Sequence, residues 1–287
     1  MVSAEQSLAN AYAHCAEIAR RHYENFPVAS WLVPRPMRPH IAAVYAFARA
    51  ADDFADEPGR APGDKLRLLD GWQAQLHRTA SGETPDDPVF RALGNTMQTC
   101  SLPLQLFDDL LSAFRQDVTV HRYQTWEEVL DYCRRSANPV GRLVLRIAGV
   151  DRPEADRASD ALCSALQLAN FWQDFGIDWR NGRLYIPREE SAKRGAVESD
   201  LEGGRMTPEW KSALAGSVIV TRALFEAGRP VASFVPGRLK YELRATWLGG
   251  MRILDKVERS GYATLQHRPA LGMLDFAQIA GSTLLWN

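Results

Sequence analysis

Two stretches of this chain are too apolar for a freely solvated helix and too acidic for an ordinary core. In YAFARAADDFAD the polar residues are Tyr45, Arg49, Asp52, Asp53 and Asp56, and nearly everything between them is Ala or Phe. Offsets of four, three and four put Tyr45, Arg49, Asp52 and Asp56 on one stripe of a helix with about 3.6 residues per turn. Ile41, Val44, Phe47 and Ala48 fall on other faces and ask for a core. More than a hundred residues later, in QLANFWQDFGID, Gln167, Asn170, Asp174 and Asp178 repeat the layout at offsets of three, four and four. Their companions are Leu166, Leu168, Phe171, Trp172, Phe175 and Ile177. Charged side chains avoid apolar interiors unless they are paired or bind metal. Either stripe alone is compatible with a solvated face. Two together predict a pair of core helices facing one charged hollow, with Asp52, Asp53, Asp56, Asp174 and Asp178 as candidate ligands for Mg²⁺. That ion takes one or two carboxylates per site, keeps waters and spans to substrate phosphates.

The rest of the chain keeps the helical period, and no stretch alternates long enough for a sheet. The prediction is one all-α domain over residues 1–287, long enough to bury a large core. Ser3 and Gln6 offer a capping box for a first helix. Pro34, Pro36 and Pro39 precede the Tyr45 helix, and Pro58-Gly59 ends it. Further helices are predicted over about 64–79, 88–99 and 103–116. Another starts from a Thr125/Glu128 box and runs through Tyr132 to Ile147, with a kink or break at Pro139 and Gly141. The Gln167 helix begins after Pro153 and ends near Asn181-Gly182. Loops or short helices fill 188–204, and two or three helices interrupted at Pro230 and Pro236 fill 207–261. The tail from His267 is semi-apolar and should pack back on the body.

Composition excludes several classes. Thirty-four basic residues against 35 acidic ones leave a formal charge of -1, so no nucleic-acid partner is expected. No apolar run approaches the roughly 20 residues that span a bilayer, and the N-terminus lacks the layout of a signal peptide. Cys15, Cys100, Cys133 and Cys163 are scattered without a CxxC pair, which argues against zinc and disulfides and for a reducing cytoplasm. Cys133 reads as small buried filler. Arg134 and Arg135 read equally as a solvated face or as diphosphate contacts.

Carboxylate-held Mg²⁺ suggests chemistry on a diphosphate, whose departure becomes easy once its growing charge is neutralised. Departure from an allylic or cyclopropylcarbinyl carbon leaves a carbocation, which needs a dry pocket lined by ring faces. Phe47, Phe54, Phe171, Trp172 and Phe175, interleaved with the two stripes, are candidates for that lining.

These residues resemble the motifs of the squalene/phytoene synthases over about residues 22–257. Tyr45, Arg49, Asp52, Asp53 and Asp56 match the first aspartate-rich motif, and Gln167, Asn170, Asp174 and Asp178 the second. Asp117, Arg122-Tyr123, Thr125 and Tyr132-Cys133 resemble the central block; Arg183, Tyr185 and Pro187 resemble the stretch after the second motif. His22 and Phe26, with Leu32-Val33-Pro34, resemble the segment that closes over the diphosphate; Asn25 stands where many members carry a serine. The resemblance implies an isoprenoid-synthase helical bundle with a central cavity. It implies Tyr45, Arg49 and Tyr132 as catalytic residues, and His22, Asn25, Phe26, Gln167, Asn170, Arg183 and Tyr185 as substrate contacts.

NFPVAS, AFARAADDFADE, SANPVGR and NFWQDFGIDWRNGRLYIP resemble the hydroxysqualene synthase branch of bacterial hopanoid pathways. That branch ionises presqualene diphosphate and quenches the rearranged cation with water, a step that needs no NADPH. The resemblance also implies an isoprenoid diphosphate as substrate and functional coupling to a presqualene diphosphate synthase and a downstream reductase. A cytoplasmic enzyme seated peripherally on the inner face of the membrane fits such a substrate. Three alternatives stay open: a synthase condensing two prenyl diphosphates (farnesyl diphosphate) head-to-head, a terpene cyclase, and a catalytically silent helical module. The cyclase's second motif wants Asn, Ser/Thr and Glu, whereas this chain has Asn170, Asp174 and Asp178. A silent module would have no use for charges in apolar helices.

Overall fold

Prolines and glycines punctuate the chain where the period predicts. The computed structural model describes residues 4–21 and 32–286, with fourteen α-helices and no β-strand among them. His22, Asn25 and Phe26, and Ser3 of the first capping box, lie outside the described residues. Clustering of backbone contacts gives two compact units. The first takes the described residues of Met1–Thr119, Pro139–Arg152 and Val235–Glu242; the second takes those of Val120–Asn138, Pro153–Phe234 and Leu243–Asn287.

The first unit contains α1 (Ala4–Arg21), α2 (Arg38–Asp56), α3 (Pro62–Ala80), α4 (Pro88–Thr99) and α5 (Leu104–Thr119). Helix α2 is its hub, lying against α1, α3, α4 and α5. Its small residues Ala42, Ala43, Ala46, Ala51 and Ala55 are buried and let these neighbours approach. Phe47 is fully buried, edge-on to Phe90 and Phe107 and stacked on Trp72. Phe54 meets Trp72 edge-on. Phe47 belongs to the packing of this unit, which corrects its candidacy as pocket lining: a ring enclosed by three others has no face left for a substrate. Phe54 is half-buried. Helix α4 starts where predicted because Asp87 caps it, accepting from the Val89 amide at 2.7 Å.

The central block forms α6 (Trp126–Ser136), followed by α7 (Asn138–Ile147). The predicted Tyr132–Ile147 helix is thus broken at Ala137, since a proline at 139 removes the amide that would carry the ladder on. At the start of α6 Thr125 accepts from the Glu128 amide at 3.3 Å, while Glu128 reaches the Gln124 amide, one residue earlier than a standard box.

In the second unit α8 (Pro153–Gln173) is the hub. After it come α9 (Phe175–Arg180), α10 (Arg188–Ala192), α11 (Glu198–Glu202), α12 (Pro208–Gly228), α13 (Leu239–Arg259, mostly in this unit) and α14 (Met273–Leu284). Helix α8 packs most extensively on α12 and also on α6. A Cβ on Gly228 would lie 2.6 Å from the Leu162 backbone, so glycine is what permits the α8–α12 approach. Trp172 is fully buried and donates its indole N–H to Thr221 Oγ1 at 2.7 Å. It too is core rather than pocket lining. Phe175 is buried against Trp210, six ångströms away between centroids (6.0 Å).

Candidate active site

Each aspartate stripe lies on the hub helix of its own unit, or just past its end. On α2, Tyr45, Arg49 and Asp52 are half-buried, whereas Asp53 and Asp56 are exposed. Arg49 holds two of the acids at once, Asp52 at 3.0 Å through Nη1 and Asp53 at 2.6 Å through Nη2. Its Nε is buried and without a partner among the described residues. A guanidinium with one buried N–H left over is a ready donor for an anionic oxygen.

The second stripe departs from prediction in one respect: Asp174 and Asp178 do not share one continuous helix. Helix α8 stops at Gln173, and Asp174 sits between it and α9 with φ -95° and ψ 10°. The cause lies far away in sequence. The Gly176 amide leaves the helical ladder to donate to the Thr264 carbonyl at 3.2 Å, and a Cβ there would stand 2.1 Å from the Leu265 carbonyl oxygen. The stripe survives the kink because the Asp178 amide still bonds the Asp174 carbonyl at 2.9 Å.

Asn170, which is exposed, donates to Asp174 Oδ2 at 2.9 Å. Arg268 then grips the same carboxylate as a fork, Nε to Oδ1 and Nη2 to Oδ2, the latter at 3.2 Å. Nothing in the helical period points to Arg268, which stands 94 positions from its partner. Gln167 is half-buried on α8. Gly182, at φ +79°, turns the chain after α9 so that the Arg183 amide bonds the Asp178 carbonyl at 2.8 Å. An isolated bridge between Arg122 and Leu184 pins this turn to the central block. There burial, then the charges of Arg183 and Arg122, lower the His121 imidazole pKa, favouring its neutral form. His121, like Arg268, was not singled out by the sequence.

Beside the second stripe stands a cluster of rings. Phe171 stacks on Tyr185 with centroids 3.5 Å apart and planes 4° from parallel. Tyr132 is 6.1 Å from Phe171 and 6.2 Å from Tyr185, and Tyr123 lies 5.9 Å from Tyr132 and 5.8 Å from Tyr185. All four are buried. Arg134 and Arg135 both turn onto Asp131 of their own helix, at 2.7 and 2.8 Å. Burial pushes the Cys133 thiol up to about 12, which fits an inert filler.

Among the described residues no three His, Cys, Asp or Glu side chains converge closely enough to hold an ion by themselves. Paired carboxylates on α2 and just past the end of α8 nevertheless suit Mg²⁺, which completes its shell from water and phosphate oxygens. A guanidinium forked onto Asp174 marks that carboxylate as a seat for positive charge.

An all-helical architecture with one acidic stripe on α2 and another at the α8–α9 junction defines the isoprenoid-synthase class. Within that class the chain belongs to the squalene/phytoene synthase family, whose sequence model matches residues 19–275. It is therefore similar to enzymes of isoprenoid biosynthesis and is one of their family. The hydroxysqualene synthase of Sinorhizobium fredii (strain NBRC 101917 / NGR234) is 39% identical over 227 residues, 78% of this chain and 76% of that protein. The hydroxysqualene synthase of Rhodopseudomonas palustris (strain ATCC BAA-98 / CGA009) is 41% identical over 211 residues, 73% of this chain and 70% of that protein. A crystal structure of squalene synthase HpnC from Alicyclobacillus acidocaldarius is 44% identical, with a TM-score of 0.84 covering 89% of this chain and 95% of that one.

Proposed function

We propose that this chain is a hydroxysqualene synthase, converting presqualene diphosphate and water into hydroxysqualene and diphosphate. The observation that carries the reading is the ring cluster of Tyr123, Tyr132, Phe171 and Tyr185 next to the Asn170–Asp174 pair. A surface that stabilises positive charge adjoins one that draws off negative charge. The names of the two relatives at about 40% identity supply the product.

In this reading the whole chain works as one domain, and each aspartate stripe serves a diphosphate. Asp52, Asp53, Asp56, Asp174 and Asp178 hold Mg²⁺, which when bound neutralises the charge growing on the leaving group. Arg49, with its spare buried N–H, and Arg183 bind diphosphate oxygens, and Gln167 and Asn170 orient them. Arg268 leaves Asp174 for the diphosphate once the carboxylate is engaged elsewhere. The carbon–oxygen bond breaks with its electron pair leaving on the diphosphate. Tyr45 and Tyr132 face the resulting cation, while Tyr185, stacked on Phe171, keeps the pocket dry. A water oxygen then bonds to the cation and gives up its proton to the departing diphosphate or solvent. His22, Asn25 and Phe26 complete the substrate contacts. No hydride is transferred, so NADPH is not consumed. A presqualene diphosphate synthase supplies the substrate, a reductase consumes the product, and the enzyme is cytoplasmic with a peripheral seat on the membrane.

A second reading rests on the name of the 44% identical structure, squalene synthase: head-to-head condensation of farnesyl diphosphate. Incubation with presqualene diphosphate and Mg²⁺, with and without NADPH, separates the two. Hydroxysqualene formed without NADPH is expected; turnover of farnesyl diphosphate alone, or a product that requires NADPH, overturns the first reading. Asp52→Ala and Asp174→Ala should each abolish turnover while leaving helical circular dichroism unchanged, and an active variant at either position refutes the metal assignment.

A further inference from the structure

Helix α14 is built inside out. Its inward stripe is Asp275, Ile279 and Thr283, spaced by four, with Asp275 and Thr283 buried and Ile279 half-buried. Its outward half carries Met273, Leu274, Phe276, Ala277, Ala280, Leu284 and Leu285, the last its C-cap residue. Among the described residues eight large hydrophobic side chains are exposed, and five lie here, at 89% (Met273), 81% (Leu274), 58% (Phe276), 74% (Leu284) and 79% (Leu285). A surface helix ordinarily turns its apolar stripe to the core, and a contiguous apolar face left outside marks an interaction surface.

The helix is anchored by charge. Asp275 takes ion pairs from both Arg252 and Lys256 at 2.7 Å and accepts from the Gly272 amide at 2.7 Å. Arg252 also reaches Gln278, and Arg244 approaches the Thr283 carbonyl at 3.5 Å. At the far end Arg229 and Arg244 lie over the Trp286 ring, at 5.1 and 5.6 Å. Four cations thus flank α14, in a chain whose formal charge is -1. The other acids of α13 nearby, Asp255 and Glu258, are taken by Arg222. At 12 residues the helix is about 18 Å long, too short to cross a hydrocarbon core of about 30 Å. No helix among the described residues is long and apolar enough to do so.

An apolar face with an arginine–tryptophan end and a cationic flank has the make-up of a helix that lies in the headgroup plane. We propose that α14 lays this face on an anionic phospholipid surface, holding the enzyme where its long hydrocarbon substrate and product dissolve. The inference deepens, and rests on, the peripheral membrane seat of the preceding section. A second copy of the chain suits the face less well, because a symmetric contact would set the Arg244, Arg252 and Lys256 row close to its own copy.

The test is co-sedimentation of the full chain with vesicles of phosphatidylcholine alone or of phosphatidylcholine mixed with anionic phosphatidylglycerol. Leu274→Ser/Phe276→Ser and Leu284→Ser/Leu285→Ser alter opposite ends of an exposed face, so thermal unfolding should not shift. The native chain should bind the anionic vesicles more tightly and lose affinity with added salt. Each double variant should bind at least about 100-fold more weakly, with turnover of detergent-dispersed substrate unchanged. Native-like binding by both variants overturns the role of α14 and leaves the membrane seat standing. Failure of the native chain to bind either vesicle overturns both. A dimer that dissociates in the variants would make the face a self-contact and overturn the lipid assignment.

Discussion

Gly176→Ala tests whether the bend in the second aspartate motif is imposed from outside. An added Cβ would meet the Leu265 carbonyl oxygen at 2.1 Å, the Leu265 carbonyl carbon at 2.7 Å and the Thr264 oxygen at 2.9 Å. All three are backbone atoms, so no side chain can swing aside. Relief needs a retreat of about 1.4 Å to reach van der Waals distance, and it would break the Gly176 N–H bond to Thr264, now 3.2 Å. Thr264 and Leu265 are themselves buried. Overpacking of this kind and the loss of one buried hydrogen bond together cost about 2–4 kcal/mol. Urea unfolding followed by tryptophan fluorescence reads the loss directly. The change should also move Arg268 away from Asp174, three residues along, and so impair turnover beyond the stability effect. Gly249→Ala is the control: its Cβ would find only Leu271 Cδ1 at 3.9 Å, within the interior of α13. There alanine should be neutral or stabilise by up to about 1 kcal/mol. If Gly176→Ala costs under about 0.5 kcal/mol while folding normally, the 264–265 backbone does not impose the bend and the reasoning fails.

Thr221→Val should leave the buried Trp172 indole N–H without its acceptor and cost about 1–3 kcal/mol; a loss below about 0.5 kcal/mol in the same urea assay would show that the bond contributes little. Lys256 first, then the Gly272 amide and Arg252, hold the Asp275 carboxyl well below the usual carboxylate range. Its stabilising contribution is therefore complete above the unfolded-state carboxylate pKa and disappears only as pH falls through the depressed value. Helix α14 should keep its amide protection at pH 5 in the native chain and lose it at neutral pH in Asp275→Asn; unchanged protection in the variant refutes the anchor. Cys133, with its thiol raised to about 12, should resist iodoacetamide at pH 8 in the native state and react on denaturation. The same shift lowers stability as pH climbs from the ordinary thiol value, 9.0, toward about 12, since only the unfolded chain ionises there. Rapid native-state labelling of Cys133 would contradict its burial.

What the chain's order of residues determined by itself is everything that acts within a turn or two of helix. The period placed α2 and α8, the Thr125/Glu128 pair marked a helix start, and Pro139 marked the break after α6. Both aspartate stripes were legible for the same reason, because an i, i+4 pair of carboxylates is a local pattern. Tertiary structure alone decided which rings are spent in the core and which gather beside the stripe: Phe47 and Trp172 were enclosed, whereas Phe171 met Tyr185 and Tyr132. It also decided that Arg268 grips Asp174 from 94 residues away, that Leu265 bends the motif at Gly176, and that α14 faces its leucines outward. Those outcomes depend on which distant segments become neighbours, and hydrophobic periodicity records only which side of a helix is covered, not what covers it.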